Sequence, residues 1–316
     1  MNPPSPRPIS SPGALGDPSE RLAREPWAAT ATWRSYPRTY AHHRVRRPVT
    51  LLTASMPRDP VLDTALSSAV LEGVVQGRPP VLRLWAPGPS TSFGRLDRLV
   101  PGFPAAVGVA RAAGFPAVVR VGGGRAAAAH EGALVFGLAA PVAEDTTRRF
   151  ETTAGVLRRA LARVGIDAQR GELPGEYCPG AWSLHAGGVK LAGIAQRVRR
   201  KAAWTEGVVL ITGADRVRDV LVPVHEALGL AWEPRTVGAV EDLAPGTGWD
   251  DVAAALRAEL SAEHQLVEAA EDPAALALAH TLRERHDAAV LVERAAAAGD
   301  NDAAPARGGA QRQRAG

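Results

Sequence analysis

The sequence predicts an α+β domain with a mixed or antiparallel central sheet flanked by helices. Three observations carry this. Strand-like runs gather between residues 81 and 211, with helical runs inserted among them or appended after 214, and not in the strict alternation of a doubly wound fold. The last two strand-like runs are joined by a short basic turn, Arg199-Arg200-Lys201, as antiparallel neighbours are. A hydrophobic content of 46 % in 316 residues supplies a substantial core.

Residues 1 to 47 are rich in proline and arginine and show little apolar periodicity. They read as a disordered segment, or as an extension upstream of the true start. The folded part is expected over 48–294. Its first helix runs from Val61 to Val75, after Asp59-Pro60, with Leu62, Leu66, Val70 and Leu71 near the helical period. Pro79-Pro80 ends that unit, and Val81 to Trp85 alternates as a strand. Ser90 to Arg95 reads as an ordinary small-residue loop. Pro104 to Ala113 is a second helix. Ala117 to Val121 is a strand running into Gly122-Gly123-Gly124, and Ala133 to Leu138 is another. Thr147 to Val164 is amphipathic, with Phe150, Val156, Leu157 and Leu161 on one side. Val189 to Val198 pairs with Trp204 to Ile211. Three helices follow, near 214–229, 249–261 and 273–294, and residues 295–316 read as a disordered tail.

The bulk numbers narrow the function. Net charge is +4 and the pI is about 9.8, yet the arginines are scattered and form no stripe interleaved with aromatics, so no nucleic-acid partner is expected. One cysteine excludes an internal disulfide framework and suits a reducing cytoplasm. No apolar run approaches a membrane span, and the N-terminus lacks the apolar core of a signal peptide, so no membrane partner is expected. No Gly-x-Ser-x-Gly elbow is present. The eight histidines show no zinc-type pairing, so no metal site is expected; His280 and His286 lie six apart and read as surface residues.

Two residues stand out for chemistry. Cys178 is the sole cysteine and sits in Gly-Glu-Tyr-Cys-Pro-Gly, residues 175–180. Lys190 follows twelve residues later. Of 37 lysines and arginines only Lys190 and Lys201 are lysine, so Lys190 marks a place that needs a compact ammonium and not a guanidinium. A thiol in a Pro-Gly turn near such a cation is a candidate nucleophile with a charged helper; a small buried thiol and a surface lysine are the plainer reading. The triple glycine lets backbone approach a ligand and offers N–H donors, but it is neither a P-loop nor a dinucleotide fingerprint. His130 follows it, either in the same pocket or as a turn residue.

In this order the pieces resemble the lipoate–protein ligase A and octanoyltransferase family, which shares its catalytic fold with biotin–protein ligases and class II aminoacyl-tRNA synthetases. The matching residues are Leu82-Arg83-Leu84-Trp85, Phe93-Gly94-Arg95, Arg120 before Gly122-Gly123-Gly124, His130 and Gly132. Gly-Glu-Tyr-Cys-Pro-Gly and Val-Lys-Leu-Ala-Gly-Ile-Ala-Gln-Arg complete the set. The resemblance spans roughly residues 50 to 290, and Lys190-x-x-Gly193-x-Ala195-Gln196 is its most specific part. Arg125 and the alanines 126–129 depart from it, by standing between the glycines and His130.

The resemblance implies a biotin/lipoate ligase-like catalytic domain and an acyltransferase. Tyr-Cys-Pro-Gly is most similar to the branch that moves an octanoyl or lipoyl group from glycine-cleavage H protein to lipoyl domains of 2-oxoacid dehydrogenases. Cys178 and Lys190 are then catalytic, with Arg120, Gly122, Gly123, Gly124, His130 and Gly193 around the substrate. Cys178 forms a thioester and no cofactor is required. Two alternatives stay open: an ATP- and Mg-dependent lipoate ligase working through an acyl-adenylate, and a scaffold that binds lipoyl domains or acyl groups without turnover.

Overall fold

In the computed structural model, residues 46–302 are described; the expectations for residues 1–45 and 303–316 lie outside them. Among the described residues, eleven strands form two sheets. The large one has the order β11-β1-β2-β6-β10-β9-β8-β7. Its members are β1 (Arg47–Leu52), β2 (Val81–Trp85), β6 (Ala133–Pro141), β7 (Gln169–Arg170), β8 (Leu184–Ala186), β9 (Val189–Val198), β10 (Ala202–Leu210) and β11 (His264–Glu268). β11, β1 and β2 run parallel, and every later pairing is antiparallel, so the sheet is mixed as predicted. The small sheet has the order β4-β3-β5, with β3 Ser90–Phe93, β4 Ala117–Val119 and β5 Ala127–Ala129.

The helices are α1 (Pro60–Val75), α2 (Phe103–Ala112), α3 (Thr146–Arg163), α4 (Ala214–Ala227), the one-turn α5 (Val240–Leu243), α6 (Trp249–Glu263), α7 (Pro273–His286) and α8 (Ala288–Asp302). Their starts follow from capping. The Asp59 carboxylate accepts the Leu62 N–H with Pro60 in the first turn, and Asp145 accepts the Arg148 N–H. None is long and apolar enough to cross a membrane.

Three apolar layers hold the elements. On one face of the large sheet, Val156, Leu157 and Leu161 of α3 and Leu256 of α6 cover Leu51, Leu82, Leu134, Phe136 and Leu191. On the other, Leu62, Leu66 and Leu71 of α1 cover Trp85, Val135 and Trp204. The third layer joins Phe93 and Val119 of the small sheet to Phe103 and Val107 of α2 and to Val217, Leu221 and Val224 of α4. Each such leucine or phenylalanine contributes about 1.5–3 kcal/mol by leaving water. Arg83, fully buried on β2, reaches Asp63 Oδ1 at 2.5 Å and Ser67 Oγ at 2.7 Å on α1, so this charge is paired inside the core.

The structure corrects three sequence expectations. Ser90–Phe93 is a strand, not a loop: the Ser/Thr run is recruited by β4 on one side and by the alanine strand β5 on the other. The single helix expected over 273–294 is two, because Asp287 turns extended and its carboxylate accepts the Ala289 N–H, which starts α8. His286 is not a surface residue. Its Nδ1 lies 2.6 Å from the Val119 carbonyl, so Nδ1 carries the proton, and Nε2 accepts the Ser68 hydroxyl at 2.7 Å. This imidazole ties α7 to α1 and to β4, the strand that precedes Arg120.

His225 makes the fold acid-sensitive. It is buried in α4, its ring 4.9 Å from that of Trp232, with Nδ1 donating to the Leu221 carbonyl and Nε2 unpartnered among the described residues. Burial pushes its pKa down to about 4. Below the ordinary imidazole pKa the unfolded chain takes up a proton that the folded chain refuses, so stability falls as pH drops from about 6.5 to 4. The loss amounts to about 3 kcal/mol. His264 and His286 are lowered by burial too and add the same sign. Urea unfolding measured across that range should show the loss in wild type and a flatter profile in His225→Phe.

Candidate active site

The site forms where the turn after β4, the loop between β7 and β8, and strands β9 and β10 converge. Cys178 is half-buried in the 171–183 loop and is the one non-glycine residue with positive φ among those described, at 44°. That left-handed backbone costs a residue with a Cβ about 1–2 kcal/mol. It is held from below by Glu176 and Lys190. Glu176, 3 % exposed, accepts the Ser183 hydroxyl at 2.6 Å and the Gly180 N–H at 3.0 Å through Oε1, which closes the loop on itself. Its Oε2 lies 3.5 Å from Lys190 Nζ.

Lys190, 2 % exposed on β9, donates to the carbonyls of Tyr177 and Cys178, both at 2.9 Å, and its ammonium sits 4.8 Å from the Tyr177 ring centre. Burial lowers its pKa, and the neighbouring Cys178 and Glu176 charges pull it back up. The Tyr177 phenol is raised by burial and by the same two charges. The lysine therefore grips the backbone that carries the thiol.

The sulfur faces the other way, into the glycine-rich turn. Cys178 Sγ accepts the Arg125 backbone N–H at 3.2 Å and an Arg120 guanidinium N–H at 3.5 Å. Arg120 is fixed by carbonyls: Nε to Gly123 at 2.9 Å, Nη1 to Ser92 and Nη2 to Arg125, each at 2.6 Å. Gly124, at φ 99°, has to be glycine, since a β-carbon there would sit 2.7 Å from Sγ and 2.6 Å from the guanidinium. Gly122 donates its N–H to Glu206 Oε1 at 3.0 Å, and a β-carbon there would meet that oxygen at 2.3 Å. Glu206 on β10 also accepts the Trp204 indole N–H at 2.7 Å, and burial raises its pKa. Gly123 is open.

Of the residues singled out from the sequence, Cys178, Lys190, Arg120 and Gly122 to Gly124 come together. Gly193 flanks the Lys190 side chain, its β-position 3.5 Å from the lysine Cε, and does not reach the sulfur. His130 lies apart: Nδ1 accepts the Gly132 N–H and Nε2 donates to the Gly213 carbonyl, so it braces that turn. Sequence reading did not single out Glu176, Glu206 or the Arg125 N–H for the site, and a buried carboxylate or a backbone donor leaves no pattern in spacing. The rarity of Cys178 and Lys190 was the usable signal. No cluster of three or more metal-holding side chains occurs among the described residues.

Comparison with known proteins converges on one group. The family described as the lipoyl protein ligase A/B catalytic domain matches residues 59–261. Octanoyl-[GcvH]:protein N-octanoyltransferase of Geobacillus kaustophilus is 31 % identical over 209 residues, 65 % of this chain and 72 % of that protein. Lipoyl-[GcvH]:protein N-lipoyltransferase of Listeria monocytogenes is 27 % identical over 147 residues, 46 % of this chain and 53 % of that protein. Among solved structures, the bi-partite lipoate protein ligase of Thermoplasma acidophilum aligns with a TM-score of 0.62 at 21 % identity, over 77 % of this chain and 97 % of that one. Lipoate-protein ligase A bound with ATP gives 0.60 at 21 %, over 75 % and 94 %. The solved structures match in fold.

Proposed function

The chain belongs to the lipoyl protein ligase A/B catalytic domain family, and from that premise we propose that it transfers an octanoyl or lipoyl group between protein lysines through a thioester on Cys178. The observation that carries this reading is the setting of Sγ, held between the Arg125 N–H and the Arg120 guanidinium. These two contacts aim Sγ into the glycine-rich turn, where a thiolate, once formed, can attack a carbonyl.

In the first step the thiolate adds to the acyl carbonyl of an acylated lysine on the donor protein, which relatives' names give as GcvH. The carbon–nitrogen bond breaks, the donor lysine leaves as an amine with a proton taken from the medium, and a thioester remains. In the second step an acceptor lysine amine attacks that thioester. The new amide forms, the proton returns to the medium and the thiolate departs. One amide is exchanged for another, so the overall exchange needs no nucleotide to drive it. Splitting it into two acyl transfers lowers each barrier.

The Gly124 N–H makes no hydrogen bond among the described residues, and Gly124 lies against the sulfur. It supplies a donor for the oxyanion that develops in both steps. Gly122 is already engaged by Glu206 and serves to hold the turn. Lys190 acts by fixing the Cys178 backbone. The partners are GcvH as donor and lipoyl domains of 2-oxoacid dehydrogenases as acceptors, and the transfer proceeds without ATP or Mg.

Intact mass measured after mixing the protein with an octanoylated donor tests this directly. A thioester adduct, discharged by an acceptor domain or by hydroxylamine, is expected without nucleotide. Product that forms only with ATP and leaves no adduct overturns the transferase reading in favour of a ligase. Neither product nor adduct leaves a binding protein.

A further inference from the structure

The most exposed large hydrophobic side chains among the described residues are Leu96 and Leu99, at 58 % and 79 %. They lie three apart on the turn that joins β3 to α2, around a short 3-10 turn at Asp97–Leu99. Arg95 and Arg98 flank them, also exposed, and neither makes an ion pair or side-chain hydrogen bond among the described residues. Two leucines and two unpaired guanidinium groups thus face water on five consecutive residues.

The turn is built, not loose. Asp97 is fully buried at its centre. Its Oδ2 accepts the Gly94 N–H at 2.8 Å, and its Oδ1 lies 3.2 Å from Arg125 Nε. The Leu99 and Val100 N–H groups donate back to Leu96 and Asp97. Gly94 touches the glycine-rich turn so closely that a β-carbon on it would sit 1.8 Å from the Gly124 carbonyl oxygen. Arg125, the residue paired to Asp97, is the one whose N–H reaches Cys178 Sγ. The exposed patch and the sulfur are therefore mounted on one framework.

We propose that this turn is the docking surface for the protein domain that brings the acceptor lysine, an acidic carrier domain whose carboxylates meet Arg95 and Arg98 and whose apolar side chains cover Leu96 and Leu99. The inference rests on the acyl-transfer reading above. A lysine stem is only four carbons long, so the carrier's backbone must come close to Sγ, and its surface must rest on what rims the cysteine. Leu96 and Leu99 gain by being covered, and the unpaired arginines select an acidic partner and speed its approach.

The test uses the whole protein as wild type, as Leu96→Asp/Leu99→Asp and as Arg98→Glu. Enzyme first acylated on Cys178 is chased with increasing acceptor domain, and alkylation of Cys178 by iodoacetamide reports the site without any carrier. The acceptor concentration for half-maximal discharge should rise tenfold or more, on the order expected for losing an interface anchor, in the leucine variant. In Arg98→Glu it should rise several-fold with a weaker salt dependence. The saturating discharge rate and the alkylation rate should match wild type. Unchanged acceptor dependence in both variants overturns the proposal. So does a change of oligomeric state with acceptor dependence intact, which gives the patch to a second copy of this chain. Should the leucine variant melt early, Arg98→Glu carries the test, since its charge stands in solvent. A wild type that forms no thioester fails at the acyl-transfer reading itself, a result distinct from thioester that discharges equally in every variant.

Discussion

Replacing Cys178 by alanine is expected to remove acyl transfer, with a loss on the order of 10³-fold or more, because no other thiol exists to carry the intermediate. The fold should survive, since the side chain is half-buried and its hydrogen bonds are to the Arg120 guanidinium and the Arg125 N–H. A companion variant separates chemistry from strain. The backbone at 178 is left-handed, a conformation glycine adopts freely and alanine does not. Glycine also has more freedom to lose on folding, which offsets part of the gain. Cys178→Gly should therefore be more stable than Cys178→Ala by about 0.5–1 kcal/mol, with both inactive. Urea unfolding beside a transfer assay reads both quantities. Transfer near wild type in either variant would remove the covalent route. Equal stability of the two would mean that the left-handed backbone stores no strain.

Lys190 should prove even more costly to change. Its ammonium is enclosed by two carbonyls, a buried carboxylate and an aromatic face. Truncation to methionine leaves Glu176 charged in a site without its counter-ion, at a cost of about 3–5 kcal/mol. It also frees the Cys178 backbone. Lys190→Arg should fail nearly as badly, because a planar guanidinium cannot place one donor group between two carbonyls in a space shaped for an ammonium. The pairing gives a sharper check. Lys190→Met with Glu176→Gln removes both charges and should be more stable than Lys190→Met alone, yet remain inactive. Thermal melting and single-turnover transfer of the four proteins decide it. Transfer within a few-fold of wild type for Lys190→Arg would reduce this lysine to a replaceable charge.

What could be read in the sequence was what repeats or what is rare. The β9–β10 pair announced itself by alternation and a basic turn, and the helices by apolar spacing and by Asp59-Pro60. Cys178 and Lys190 were visible because this chain has almost no other thiol or ammonium. The rest depends on partners distant in sequence. Ser90–Phe93 is too short and too polar to read as a strand alone and Ala127–Ala129 has weak strand propensity; both become strands through pairing, β3 with β4 and with β5. Asp287 ends a helix by bonding the next turn's N–H, a choice invisible in apolar spacing. Glu176 and Glu206 look like any surface glutamate until the fold closes over them. His130, six residues beyond Gly124, is carried away from the sulfur by the alanine strand between.

The clasp of β1 with β11 bears on how the protein is made. These strands pair in register from Arg47–His264 to Leu51–Glu268, across more than two hundred residues and on either side of the segment that matches the family. A chain emerging from the ribosome can pair β1 with β2 early, through Thr50–Val81 to Leu52–Arg83. The outer edge of β1 then stays open until residue 268 has been synthesised. Such long-range closure slows folding, and an unpaired strand edge is a template for intermolecular association. Nascent chains stalled before β11 are thus the species most in need of a chaperone.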